Sequence, residues 1–211
     1  MSDEVKPTSP RRRRQVVRTE AAIVAAATAL FLAEGYSGTT LAAVADAADV
    51  ALRTVYVRFG TKADLFKRVV DVAIVGDVAD IAVLGRDWMV PALQAPTVQE
   101  RIAACAAANR AIMARTGALF AVAEQAAAIE PLIAEQWRRG REQSRQDSHA
   151  VWSAMAQDGL LPAGADVARL ADSAAVIGAA ETYLVGTRML GWDLDAYEVW
   201  LCDVLTRVAA G

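Results

Sequence analysis

Thr39-Thr40-Leu41-Ala42-Ala43-Val44-Ala45-Asp46-Ala47-Ala48-Asp49-Val50-Ala51-Leu52-Arg53-Thr54-Val55-Tyr56-Val57-Arg58-Phe59-Gly60-Thr61-Lys62-Ala63-Asp64-Leu65-Phe66 is the stretch that decides the fold of this chain. It reads as two short helices meeting at a tight turn, followed by the start of a longer helix. The Thr39 hydroxyl is placed to accept from an orphan backbone amide and so cap the first helix. Leu41, Val44, Ala45 and Ala48 then recur at helical spacing, and their small size lets a second helix come close. Asp49 falls where the chain must turn, and Asp tolerates left-handed backbone angles better than most residues with a Cβ. Ala51 to Phe59 form the second helix, which buries Val55 and Phe59. Leu52, Arg53, Thr54, Tyr56 and Arg58 are left pointing outward. The pattern is a helix-turn-helix over residues 40–59, with a second helix suited to a DNA major groove.

These residues resemble the TetR family of bacterial transcriptional regulators. The matches are Thr40, Val44-Ala45, Ala48-x-Val50, Thr54-x-Tyr56-x-x-Phe59 and Thr61-Lys62-x-x-Leu65. Two positions depart from the family pattern. Asp49 stands at the usual turn Gly, and Ala51 replaces a common Ser and with it one phosphate hydrogen bond. The resemblance implies an all-α protein with a DNA-binding domain over residues 17–77 and a helical effector-binding and dimerisation domain over 78–211.

Composition agrees with an all-helical chain. Of 211 residues 55% are hydrophobic but only 6% aromatic, because Ala dominates, and Ala-rich sequence with few Pro favours helix. The net charge of −3 is unevenly spread. Residues 5–70 hold eleven Lys/Arg against five Asp/Glu, a local excess of +6 that leaves about −9 for the remainder. A basic module on an acidic body fits a DNA-binding head with a separate sensing or assembly domain. Cys105 and Cys202 lie far apart and have no metal-ligand spacing, so they read as two buried thiols, and neither metal nor cofactor is expected. The amino terminus is charged and has no apolar core like that of a signal peptide. The apolar run from Val69 to Leu84 is interrupted by Asp71, Asp77 and Asp80, so no membrane partner is expected and a cytoplasmic protein is.

Residues 1–16 read as a flexible basic arm. Arg11, Arg12, Arg13 and Arg14 directly precede the DNA-binding motif, so they are assigned to phosphates or a minor groove in preference to a solvated tail. The first helix is expected from Thr19 to Glu34, with Ile23, Ala27, Leu30 and Phe31 inward and Gly35 as a left-handed cap. On the recognition helix, Arg53 has the fork that pairs with guanine O6 and N7 together, and Leu52 is placed to pack on a thymine methyl. Tyr56, Thr54 and Thr40 are assigned to phosphates through their hydroxyls. Lys62 opens the next helix, where its charge and the helix dipole both favour phosphate.

Beyond a boundary region at 76–96 the chain becomes a larger helical body. One helix is expected from Thr97 to Arg115, a restart at Gly117, and a long helix from Pro131 to about Gly159. Ala165 to Leu190 is expected as one further helix, uncharged between Asp172 and Glu181 and therefore covered on all sides. With the last helix, Asp195 to Ala209, it agrees with the homodimer that the resemblance implies, through Val176, Ile177, Ala180 and Trp200.

The resemblance further implies a cavity in the second domain for a small-molecule effector. Trp88, Met89, Asn109, Met113, Phe120, Trp137, Trp152 and Tyr183 are candidates to line it. Stripes of this kind are more often plain core. An enzyme is disfavoured, because the chain has one histidine, His149, no Gly-rich phosphate loop and no nucleophile with a base. The sequence therefore reads as a regulator, most simply a repressor released from operator DNA by a small hydrophobic effector. The alternative is a helix-turn-helix protein whose second domain serves only assembly.

Overall fold

The computed structural model describes residues 10–77, 79 and 81–210. They form ten α-helices and two short 3-10 turns, with no β-strand among the described residues. Two compact units divide between Val72 and Ala73, inside the fourth helix.

The first unit holds α1 (Pro10–Gly38), α2 (Leu41–Ala47), α3 (Leu52–Phe59) and α4 (Lys62–Val75) as far as Val72. The periodic stripe of α1 is buried as Ile23, Val24, Ala27 and Phe31. Residues 14–38 are long and apolar enough to cross a membrane, but this stripe is the core of the unit. At Gly35 the backbone turns to φ 69°, a left-handed value that interrupts α1 where the cap is expected. Two expectations need correction. Helix α1 starts at Pro10 and not Thr19, so residues 10–16 are helical and not an open arm, while residues 1–9 lie outside the described residues. The cap of α2 is Thr40, whose Oγ1 accepts from the Ala43 amide at 3.1 Å. Thr39, one residue too early, is buried and donates to the Gly35 carbonyl instead.

The second unit begins at Ala73 and contains two 3-10 turns, Val83–Gly85 and Asp87–Met89, then α5 (Val90–Gln94) and α6 (Val98–Ala127). There follow α7 (Pro131–Gln157), α8 (Val167–Ile177), α9 (Ala180–Leu190) and α10 (Leu194–Ala210). Helix α6 packs against α5, α7, α9 and α10, and α7 lies along α8. Thr97 caps the start of α6, its hydroxyl accepting from the Glu100 amide and donating to the Glu100 carboxylate.

Helix α6 runs unbroken through Gly117, where a restart is expected. A Cβ at Gly117 would stand 2.6 Å from Cε1 of Tyr183, so the glycine makes room for an aromatic ring from α9. In the opposite sense, the single helix expected from Ala165 to Leu190 is two helices, broken at Gly178-Ala179. The break is made tolerable from elsewhere in the chain. Asn109 Nδ2 of α6 donates to the Gly178 carbonyl at 2.9 Å, and Thr182 Oγ1 donates to the Val176 carbonyl at 2.8 Å.

Replacing Gly117 by Ala should force the Tyr183 ring aside and lower stability by about 1–3 kcal/mol, read by thermal or denaturant unfolding. A second prediction concerns acid. Hydrogen bonds from Arg145, and then His149, hold Asp172 down at about 2 from the ordinary 3.8. The folded state therefore favours the carboxylate, and that stabilisation is present above pH 3.8 and lost as pH falls through about 2. Asp172→Asn should flatten the loss of helical circular dichroism across that window.

Candidate nucleic-acid interface

The helix-turn-helix is built from one capped helix, one strained turn and one short amphipathic helix. After α2, Asp49 takes φ 53°, the one left-handed non-glycine residue among those described. The Val50 amide donates to the Ala45 carbonyl at 3.0 Å and closes the turn. Helix α3 starts without a side-chain cap, because Ala51 has no polar side chain to supply one. It is anchored by Val55, which is fully buried.

Leu52, Arg53, Tyr56 and Val57 of α3 are exposed and Thr54 is half-buried. Residues at i and i+4 share a helix face, so Arg53 stands beside Val57 and Leu52 beside Tyr56. Arg53 makes no hydrogen bond or ion pair among the described residues, and its guanidinium is free to meet a ligand. Val57 is 78% exposed on the same face as Arg53. Arg11 and Arg14 are exposed on the first turns of α1, and the side chains of Arg12 and Arg13 lie outside the described residues.

Two cations near α3 are engaged inside the protein. Lys62 Nζ donates to the Tyr36 carbonyl at 2.8 Å and the Thr39 carbonyl at 3.0 Å, and sits 4.3 Å from the centre of the Tyr36 ring. Its charge is thus spent on the end of α1 and the loop before α2, not held out to solvent. Tyr36 in turn stacks on Phe31 at 6.0 Å and meets Phe66 edge-on at 5.6 Å. Arg58, read from the sequence as outward, folds back to Glu20 at 2.7 Å and to the Val16 carbonyl at 3.1 Å. No local signal shows this, because Glu20 lies 38 residues earlier.

The candidate effector residues of the second unit are engaged with one another and with the core. Met89, Met113, Phe120 and Trp152 are buried as core. Trp137 meets Phe120 edge-on at 5.3 Å and donates its indole N–H to Glu181 at 3.1 Å. Asn109 Oδ1 accepts from the hydroxyl of Tyr197, whose ring packs edge-on against Tyr183. Burial pushes the Tyr197 phenol well above its ordinary pKa, so it stays a donor. Trp88 lines a separate cavity of about 280 Å³ with Val75, Ile81 and Arg86. Glu124 of α6 pairs with Arg188 of α9 at 2.7 Å.

The proposed contact faces of α8 to α10 are partly open. Val176 is 70% exposed, Ile177 and Ala180 are half-buried, and Met189 is 77% exposed. Trp200 is half-buried, its ring 5.1 Å from Trp192 and 6.1 Å from Tyr197.

Residues 23–69 match the family model described as bacterial regulatory proteins, tetR family. No curated protein matches the sequence. Among solved structures, the fold is similar to that of a protein described as a TetR-family transcriptional regulator from Rhodococcus sp. (TM-score 0.70, 11% identity, 91% of this chain and 98% of that one). It is similar to a second protein so described from Mesorhizobium loti MAFF303099 (TM-score 0.66, 19% identity, 92% and 96%). It is also similar to NalD, the secondary repressor of the MexAB-OprM multidrug efflux pump in Pseudomonas aeruginosa (TM-score 0.67, 18% identity, 92% and 97%).

Lys62→Met keeps the side chain's length but removes its charge and donors. It should lower the melting temperature by the equivalent of about 1.5–3 kcal/mol, the range for a hydrogen bond to a charged group. A surface lysine reserved for phosphate would leave thermal unfolding of the free protein unchanged.

Proposed function

We propose, from the premise that residues 23–69 are a TetR-family DNA-binding domain, that this protein is a transcriptional repressor that binds a two-fold related operator as a homodimer. The observation that carries the reading is Arg53, a guanidinium on the open face of α3 with no partner among the described residues, while Arg58 and Lys62 close by are engaged. A free, forked cation beside Leu52 and Val57 suits a guanine edge next to a thymine methyl. Tyr56, Thr54 and Thr40 carry hydroxyls for phosphates on the same helix pair, and Arg11 to Arg14 add positive charge at the start of α1.

The dimer reading draws on the open apolar side chains Val176, Val185, Met189 and Val199 of α8 to α10, near Ile177, Ala180 and Trp200. Two heads must stand about one DNA turn apart, or a multiple of it, to engage two half-sites. NalD, similar in fold, is a repressor, which supports repression over activation. A small hydrophobic effector would act by favouring a dimer whose heads are wrongly spaced, which shifts the population away from DNA. At the far end of α4, Arg115 of α6 donates to the Ala73 carbonyl at 2.8 Å and the Ile74 carbonyl at 2.7 Å. A shift of α6 would therefore pull on the last turn of α4. The place of action is the cytoplasm, where the DNA is.

One observation favours the second reading, in which the carboxy-terminal unit is only an assembly scaffold. Met113, Phe120 and Trp152 are buried in the core, and Asn109, Glu124 and Glu181 have partners inside the protein. Saturable thermal stabilisation by a small hydrophobic compound supports the sensor, and its absence across a broad panel supports the scaffold.

Selection of bound duplexes from a random pool tests the main reading. The expected product is a palindrome with a guanine in each half-site. Arg53→Ala should cost about 1–3 kcal/mol of discrimination at that one position per half-site and leave the others intact. A protein that selects no sequence, or that stays a lone subunit, overturns the reading.

A further inference from the structure

Arg58 is outward on α3 by its spacing, yet its side chain turns inward. One Glu20 carboxylate from α1 holds two guanidinium groups. Its Oε2 accepts from Arg58 Nη2 at 2.7 Å, and its Oε1 from Nε and Nη2 of Arg68, both at 2.8 Å. The same Arg58 nitrogen reaches the Val16 carbonyl of α1, and Arg58 Nε is buried with no acceptor beside it. The three side chains are only 20–28% exposed, so this is not a loose surface pair that water and salt screen away. Burial works to raise the pKa of Glu20, but the hydrogen bonds and charges of Arg58 and Arg68 together outweigh it and hold the carboxyl below its ordinary value, so it is ionised.

The triad joins α1, the last turn of α3 and the middle of α4. We propose that Glu20 is a positioning residue that sets DNA specificity: it ties down the carboxy-terminal end of α3 and withholds Arg58 and Arg68 from the phosphate backbone. The assignment rests on the DNA-binding reading above. Its physical sense follows from what phosphate contacts supply. They add affinity that rises as salt falls and carries no sequence information, so two more free arginines would strengthen binding to every duplex alike. With Glu20 in place the triad presents one net positive charge, already neutralised in part, and base reading is left to Arg53. Tethering α3 at Arg58 also fixes the helix so that Arg53, five residues earlier, meets one base pair.

The test uses the full chain, its selected duplex and an unrelated duplex of the same length, titrated at several salt concentrations. Glu20→Gln removes the charge and keeps the shape. Its affinity for the unrelated duplex should rise about tenfold at low salt, and the slope of log K against log[salt] should steepen by about 1–2, each freed arginine adding about 0.9. Preference for the selected duplex should fall. Adding Arg58→Gln and Arg68→Gln to that variant should return the slope to the starting value. Arg58→Met alone should weaken binding to the selected duplex with no change of slope, because the wild-type arginine touches no phosphate. This second variant decides the matter if Glu20→Gln does not fold. The proposal is overturned if Glu20→Gln leaves the slope unchanged, or if Arg58→Met makes it shallower by about 0.9, the mark of a direct phosphate contact. Failure of the clamp alone appears as a wild-type protein that selects a site while these slopes do not move. Failure of the DNA-binding reading appears earlier, as a wild-type protein that selects none.

Discussion

Helix α3 is eight residues long, too short to hold its shape in water by its own hydrogen bonds. Everything about the first unit follows from that constraint. Its buried anchor is Val55; its entry is governed by the turn at Asp49; its exit is tied through Arg58 to Glu20. Beneath it, Phe31, Tyr36 and Phe66 form an aromatic cluster, the closest pair 4.8 Å apart between ring centres. Lys62 closes that cluster by pairing its charge with the Tyr36 ring and with carbonyls at the end of α1. An exposed surface that must meet a ligand in a fixed orientation is here made rigid from behind.

Charge placement separates cations engaged inside the domain from those left at its surface. The cations that are partly buried, Arg58, Lys62 and Arg68, meet carboxylate or carbonyl oxygens inside the domain. Arg53, fully on the surface, meets none. Partial burial removes water from a cation and so raises the cost of leaving it unpaired. A cation that stays hydrated waits at little cost until a better partner arrives. The same rule gives the second unit its interior polar contacts, where Asn109 donates to the carbonyl at the broken helix end and accepts from the Tyr197 hydroxyl.

The second unit depends on close approach. Alanine and glycine along α6 let rings from other helices sit against its backbone, as Tyr183 does at Gly117. Trp192 lies in the same way against Gly186 of α9, where a Cβ would come within 2.5 Å of the ring. Small residues that look like weak helix signals are thus positions that large residues from elsewhere require.

Helix content, the helix-turn-helix and the outward set Leu52, Arg53 and Tyr56 were legible in the chain because they rest on periodicity within fewer than twenty residues. The left-handed turn at Asp49 and the interruption at Gly35 belong with them, since backbone tolerance is a property of single residues. What stayed out of sight depends on partners far along the chain. The cap of α2 falls to Thr40 and not Thr39 through a shift of one residue in helix start. Gly117 did not break α6 and Gly178 did end α8, opposite outcomes for the same residue type, decided by Tyr183 and by Asn109. Arg58 and Lys62 turned inward because Glu20 and Tyr36 were waiting there. The sequence alone determines which segments coil and which faces are apolar, because short-range sterics and hydrophobic spacing are written locally. Only the tertiary structure decides which charges remain free to act, because that depends on what folding brings within three ångströms of them.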